Sequence, residues 1–300
     1  MSTKAAPYGS WESPITAAFI TDAGVGLGSP SVGPLSGDLF WLERRPKEGG
    51  RSVLCRRAPD DPAASERGAV DVTPAGSNVR TRVHEYGGKS HVLAKELGPD
   101  GSAAEYVVYA NFVDQRLYKL TLGAEAEPLA LTPKSVYEED ARYRFADFIV
   151  DEARGRLICV REDHTKPEPA NVVNAIVSVA LDGSGEMHVL ASGSDFYAAP
   201  RLSPDGTKLA FVSWEHPNMP WDETRLSVMD VSSGSGGGET TVVAGAQGGS
   251  SVLQPAWSPV TGELFFVSDH ENGFWNLFCV RGAAQLALGP AWAAAAYNVA

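Results

Sequence analysis

A short apolar run returns about every fifty residues, and that spacing restricts the fold more than any single motif does. The runs are LFWL at 39–42, VVY at 107–109, LICV at 157–160, LAFV at 209–212 and LFFV at 264–267. The last four begin 50, 52 and 55 residues apart. The first interval is 68, and its extra length lies in polar stretches such as RRAPDDPAASERGA and KELGPDGSAAE. A turn precedes each run: SGD at 36–38, DGS at 100–102, EARG at 152–155, SPDG at 203–206 and SPVTG at 258–262. Asp and Gly there supply the local hydrogen bond and the positive φ of a tight hairpin. Another strand pattern follows, in QRLYKL (115–120), AIVSV (175–179), RLSVMD (225–230) and NLFCV (276–280). A short outer strand then ends the unit: DVTP (71–74), LTP (131–133), HVLA (188–191) and TVVA (241–244).

Four short strands per ~50 residues predict an all-β chain, a β-propeller of four-stranded blades. The expected division is 1–36 as a lead-in to blade one, 37–288 as blades one to five, and 289–300 as the start of a truncated sixth. That sixth start rests on GPAW at 289–292, an echo of PAW at 255–257, although the AAAA that follows has helical propensity. SSGSGGGE at 232–239 reads as a flexible loop.

Composition narrows the function classes. A net charge of −12, with only the short basic pairs Arg44-Arg45 and Arg56-Arg57, argues against nucleic acid as a partner. Cys55, Cys159 and Cys279 stand far apart in apolar runs, without metal-ligand spacing, and read as buried thiols. The N-terminus has no secretory pattern, and no apolar run approaches ~18 residues, so the expectation is a cytoplasmic chain, or an organellar one, without a membrane partner.

Several segments, in order, carry a resemblance. They are APYGSW (6–11), SPIT (13–16), GVGLG (24–28), NVRTRVHEYGG (78–88), DQRLY (114–118), VREDH (160–164), DFYAAPRLSPDG (195–206) and WEHPNMPWD (214–222). Together they resemble the N-terminal propeller of the prolyl oligopeptidase family of serine peptidases, in its acylaminoacyl-peptidase and dipeptidyl-peptidase-like branch. The resemblance implies a seven-bladed propeller capping an α/β-hydrolase domain that holds the Ser-Asp-His triad. The propeller would restrict access and help hold the peptide. No G-x-S-x-G occurs in this sequence, so the catalytic half is expected to be absent and the chain inactive alone.

The candidate residues divide accordingly. Ser203, Asp205 and His216 invite a triad reading, but the first two precede an extended strand and His216 follows it. They are then roughly 25 Å apart at ~3.3 Å per residue, and no catalytic residue is assigned. Acid–His pairs at Asp163-His164, Glu215-His216 and Asp269-His270 fall after successive strands, in loops that emerge on one face. His164, His216 and His270 are therefore candidates to face a substrate or a partner domain, with a solvated loop as the plainer reading. Neighbouring blade loops stand too far apart to share one ion, so neither metal nor cofactor is expected. Trp221 and Asp222 join the candidates because WEHPNMPWD is stiff and partly apolar. Arg82 and Glu85 join them in a charged cluster whose plainer reading is an ion pair. GVGLG lacks phosphate-loop spacing and reads as a flexible lead-in.

Three functions fit a propeller. One is the non-catalytic portion of such a peptidase, with a peptide or an α/β-hydrolase domain as partner. Another is a stand-alone TolB-like scaffold binding protein or peptide. The third, a propeller-face enzyme such as a metal-dependent lactonase, lacks its acid and Asn cluster here. An incomplete propeller is also expected to self-associate through open sheet edges.

Overall fold

Each repeat unit folds as one four-stranded antiparallel meander, five in all. The computed structural model describes residues 5–10, 13–21, 24–58, 69–98, 100–123, 127–134, 142–166, 168–233, 237–270, 273–281 and 284–287. Blade one comprises β1 (Gly26–Val32), β2 (Leu39–Arg45), β3 (Arg51–Arg57) and β4 (Val70–Asp71). Blade two comprises β5 (His91–Leu97), β6 (Ala103–Ala110), β7 (Leu117–Thr121) and β8 (Leu129–Ala130). Blade three comprises β9 (Tyr143–Asp151), β10 (Arg156–Asp163), β11 (Val173–Ala180) and β12 (Met187–Ser192). Blade four comprises β13 (Phe196–Leu202), β14 (Lys208–Trp214), β15 (Arg225–Asp230) and β16 (Thr240–Ala244). Blade five comprises β17 (Val252–Trp257), β18 (Leu264–Ser268), β19 (Asn276–Arg281) and β20 (Ala284–Ala287). The expected sixth-blade fragment, 289–300, lies outside the described residues.

The five apolar runs are the second strands, and their alternation builds the interior. In β10, Leu157 and Cys159 pack toward blade two, whereas Ile158 and Val160 pack toward blade four. In β14, Leu209 and Phe211 face blade three while Ala210, Val212 and Trp214 face blade five. Successive side chains of a strand point to opposite sheet faces, so one run serves two cores. The apolar clusters lie at the four junctions between consecutive blades. None of them joins blade five to blade one among the described residues.

The preceding turns have the predicted chemistry. In SPDG, Ser203 N donates to Lys208 O at 2.8 Å, Ser203 Oγ donates to Asp205 at 2.6 Å, and Gly206 takes φ +69°. Two outer strands are shorter than expected and shifted: Val70–Asp71 and Leu129–Ala130 both end before the prolines at 74 and 133. The segment read as a flexible lead-in, 24–28, is from Gly26 onward the first strand of blade one.

The first strands carry a feature absent from that reading. β1, β9, β13 and β17 each set two residues against one, and the first of the pair takes a positive φ: Ser29, Asp147, Ala199 and Gln254. In three of the four the next residue is proline, at 30, 200 and 255. Proline cannot donate to a ladder, and a bulge is where a strand tolerates it.

Blade one is tied to blade two by a buried carboxylate. Glu105 of β6 accepts from Leu35 N at 3.0 Å, Ser36 N at 3.4 Å and Ser36 Oγ at 2.8 Å, all in the β1–β2 turn. Hydrogen bonds to an ionised group are stronger than neutral ones, and removing the buried carboxylate loses all three at once. Glu105→Ala is expected to destabilise the chain by about 2–3 kcal/mol in urea unfolding. A midpoint equal to wild type would contradict the clamp.

Candidate functional site

Meander topology sends two kinds of loop to one face: those joining second to third strands, and those linking each blade to the next. Every candidate residue lies in one of these loops or at its edge. His164 follows β10, His216, Trp221 and Asp222 lie between β14 and β15, His270 lies between β18 and β19, and Arg82 and Glu85 lie between β4 and β5.

The structure gathers some of these and not others. Loop 82–88 leaves its own blade and lies across blades three and four, with His84 at the centre of the contact. Glu162 Oε1 accepts from His84 N at 2.7 Å, and the His84 ring donates through Nε2 to Tyr197 O at 3.2 Å. The same Glu162 accepts from His164 Nε2 at 3.0 Å and lies 3.8 Å from Arg144. His164 thus pairs with Glu162, two residues back, rather than with its neighbour Asp163, which accepts from Thr165 N. The expected Arg82–Glu85 ion pair does not form. Glu85 Oε1 takes Arg144 Nη1 at 2.6 Å, whereas the Arg82 guanidinium lies 4.6 Å from the Phe112 ring centre. Arg144 was invisible to a reading based on local clusters, because 59 residues separate it from Glu85.

His84 and Glu85 both adopt left-handed backbone, φ +56° and +64°. Side chains in that region cost roughly 1–2 kcal/mol per residue, here opposed by the Glu162 bond and by Glu85 N donating to Arg82 O at 2.9 Å. The Gly-Gly pair that follows has a separate reason. Gly87 is at φ +96°, and a Cβ on Gly88 would stand 2.9 Å from the Ala146 Cβ of blade three.

A row of rings extends from this hub. His84 lies 5.7 Å from Tyr86, 5.4 Å from Trp214 and 5.8 Å from Phe196; Phe196 stacks on Trp214 at 5.1 Å and meets the edge of His216 at 4.7 Å. The two tryptophans of WEHPNMPWD therefore part company. Trp214 is 5% exposed and belongs to the core between blades four and five, while Trp221 is 62% exposed. Met219 of the same loop and Tyr86 of loop 82–88 are also exposed. Asp222 turns back to accept from Met219 N at 2.9 Å, and Pro220 O accepts from Ser251 Oγ, which docks the loop on blade five.

His270 stands apart, over Phe278 at 4.4 Å in blade five. The acids beside His216 and His270 brace backbone: Glu215 accepts from Asp195 N at 2.9 Å and Asp269 from Ser251 N at 2.8 Å. Ser203 and Asp205 stay in their turn, at the opposite end of β14 from His216. Among the described residues, no group of three or more His, Cys, Asp or Glu side chains is placed to hold a metal ion. The three thiols are buried in β3, β10 and β19. No described helix is long and apolar enough to cross a membrane.

Repeated four-stranded meanders, with aromatic and charged loops gathered on one face, define a β-propeller. A puromycin-hydrolysing peptidase of Mycobacterium tuberculosis superimposes on the chain with a TM-score of 0.79 and 34% identity, covering 95% of this chain and 42% of that one. Prolyl oligopeptidase B of Galerina marginata shares the fold at 13% identity and TM-score 0.51, over 85% of this chain and 36% of its own. A TolB-type protein of Agrobacterium tumefaciens shares it at 16% and 0.51, over 88% and 80%. The chain belongs to the prolyl oligopeptidase family, as its propeller portion, and spans less than half the length of the peptidases it matches. No family profile and no curated protein sequence matches it.

Burial holds the His84 imidazole below the ordinary histidine value, an effect that Glu162, Asp147 and the Tyr197 carbonyl offset only in part. An unfolded chain takes up this proton near pH 6.5, and the folded one only at lower pH. Stability is then lost as pH falls below that value. His91, pushed down to about 4 by burial, adds a slope of the same sign. His84→Asn keeps a residue that tolerates left-handed backbone. It should flatten the fall in unfolding free energy between pH 7 and 5 by up to about 1.4 kcal/mol per pH unit. An unchanged slope would contradict a neutral, buried His84.

Proposed function

We propose that the chain is the non-catalytic, substrate-gating portion of a prolyl-oligopeptidase-type peptidase, contacting peptides through the face built around His84. The observation that carries this reading is 34% identity across nearly the whole chain to a peptidase that acts on puromycin. Puromycin joins an amino acid to a nucleoside through an amide, so short peptides and aminoacyl amides are the expected ligand class. The face suits them. Tyr86 and Trp221 offer exposed rings for an apolar side chain, and Glu85 offers a mostly exposed carboxylate for a terminal amine. An α/β-hydrolase domain is the second expected partner. The exposed Ile15, Phe19 and Ile20, around the short helix α1 (Ala17–Thr21), supply apolar surface that such a domain would cover.

Titration calorimetry with puromycin and with a free-amine tetrapeptide tests the contact. Glu85→Gln and Trp221→Ala should each weaken binding at least about fivefold, as expected for loss of a charged hydrogen bond or a ring contact. Absence of heat with the wild-type chain would sink the reading. A fluorophosphonate should not label the chain, and a stoichiometric serine adduct would show that it carries its own nucleophile.

A TolB-like scaffold function is the second reading, favoured by the likeness to a propeller of which this chain covers 80%.

We propose that self-association, expected through open sheet edges, also uses a sheet face. Consecutive blades meet face to face, and among the described residues no apolar cluster covers the far face of blade five. In blade five, Leu264, Phe266 and Phe278 pack on blade four, which turns Phe265, Val267 and Leu277 to the other side. This face pairs with a second copy when the chain is alone. Size-exclusion chromatography should show dimers or larger species, shifted toward monomer by Phe265→Lys with Val267→Lys. A monodisperse wild-type monomer would overturn the idea.

A further inference from the structure

Residues of blades two, three and four line a broad, open cavity of about 1420 Å³ that reaches the turn of Ser203 and Asp205. Lys89 and Arg201 both line it, from blades two and four. Between them in the chain of contacts sits Asp147, the bulged residue of β9. Its carboxylate is already committed to backbone: Oδ1 accepts from Lys89 N at 3.0 Å and Oδ2 from Ala199 N at 2.9 Å. Asp147 N in turn donates to Lys89 O at 2.9 Å. This bridge holds the backbone before Lys89 and before Arg201 against one residue, and sets both cations on the same wall.

Neither cation has a carboxylate partner among the described residues. Arg201 donates once, to Pro200 O at 2.8 Å, and leaves most of its guanidinium fork unused. The chain has 37 acidic against 25 basic side chains, so two cations on one wall without an ion-pair partner stand out, Lys89 exposed at the opening and Arg201 half-buried. Several other charges along the wall are engaged. Lys119 pairs with Glu96 at 2.6 Å, Asp151 with Arg154 and Arg156, and Asp205 with Ser203 and Thr207. Partial burial holds the Lys89 ammonium below its usual range and repulsion from Arg201 adds to this, while Asp147 offsets it only in part. Asp147 attracts both cations, but its oxygens are taken up by backbone, so one positive charge in excess and free N–H donors are left for an incoming anion. The guanidinium supplies a planar fork and the ammonium a point charge for its oxygens.

We propose that Lys89 and Arg201 form a receptor for an oxyanion, the C-terminal carboxylate of a peptide or a free phosphate, on the wall of this cavity. The site is distinct from the His84 face, and its test is separable from that reading.

The full chain is titrated with inorganic phosphate, and with one short peptide as its free acid and as its C-terminal amide. The free acid, phosphate, or both should bind, and the amide should bind at least about tenfold more weakly than the acid if the peptide terminus is the ligand. Binding of phosphate alone assigns the site to free phosphate. Lys89→Met with Arg201→Met should weaken the anion about tenfold or more, with thermal melting and circular dichroism like wild type. Both replacements leave the backbone bridge to Asp147 intact. Arg201→Lys, as a conservative control, should retain part of the affinity. Phosphate binding should not respond to Glu85→Gln or Trp221→Ala, which act on the peptide at the His84 face. Equal binding of acid and amide together with no response to phosphate would overturn the proposal, as would a double variant that binds anions like wild type.

Discussion

The fold depends on the second strand of each blade being apolar on both faces. A strand such as β10 cannot satisfy Leu157 and Cys159 on one side and Ile158 and Val160 on the other within its own sheet, so it requires a blade on each side. Fully burying each such side chain contributes roughly 1.5–3 kcal/mol, and both cores are lost together if a neighbour is lost. Order is then passed from blade to blade, as in other repeat architectures. The first and last blades end the series in different ways. Blade one covers its far face with charge, where Arg45 reaches Glu43, Glu48 and Asp71 around Cys55. Blade five presents Phe265, Val267 and Leu277 instead. Among the described residues, the two faces make no fifth apolar junction.

This alternation is also why so much of the architecture was legible from sequence. The second strands are short apolar runs at a fixed period, and their hairpins carry Asp and Gly, so both signals reinforce each other. The first strands were harder. Their bulges rest on positive-φ residues such as Asp147 and Ala199, which are not glycine and give no compositional sign. Pro30, Pro200 and Pro255 were the available signal, because a proline inside an expected strand marks a bulge.

The site was legible only as a set of loops. Topology placed His164, His216 and His270 on one face, but the contacts that organise loop 82–88 beside them came from elsewhere in the chain. Glu162 gathers His84 and His164, and Arg144 displaces Arg82 as the partner of Glu85. Contacts across 59 or more residues have no local pattern to announce them. Spacing also cannot separate Trp214, which completes a core, from Trp221, which is free to meet a ligand. Backbone strain at His84 and Glu85 is consistent with a surface whose shape is fixed in advance of binding.

Amide hydrogen exchange on the full chain, with and without puromycin or a short peptide, tests the central claim most directly. The account predicts added protection confined to residues 82–88, 195–197 and 214–222, the three segments that meet around His84. Protection confined to the hairpin turns on the opposite face, at 152–155 and 203–206, would contradict it.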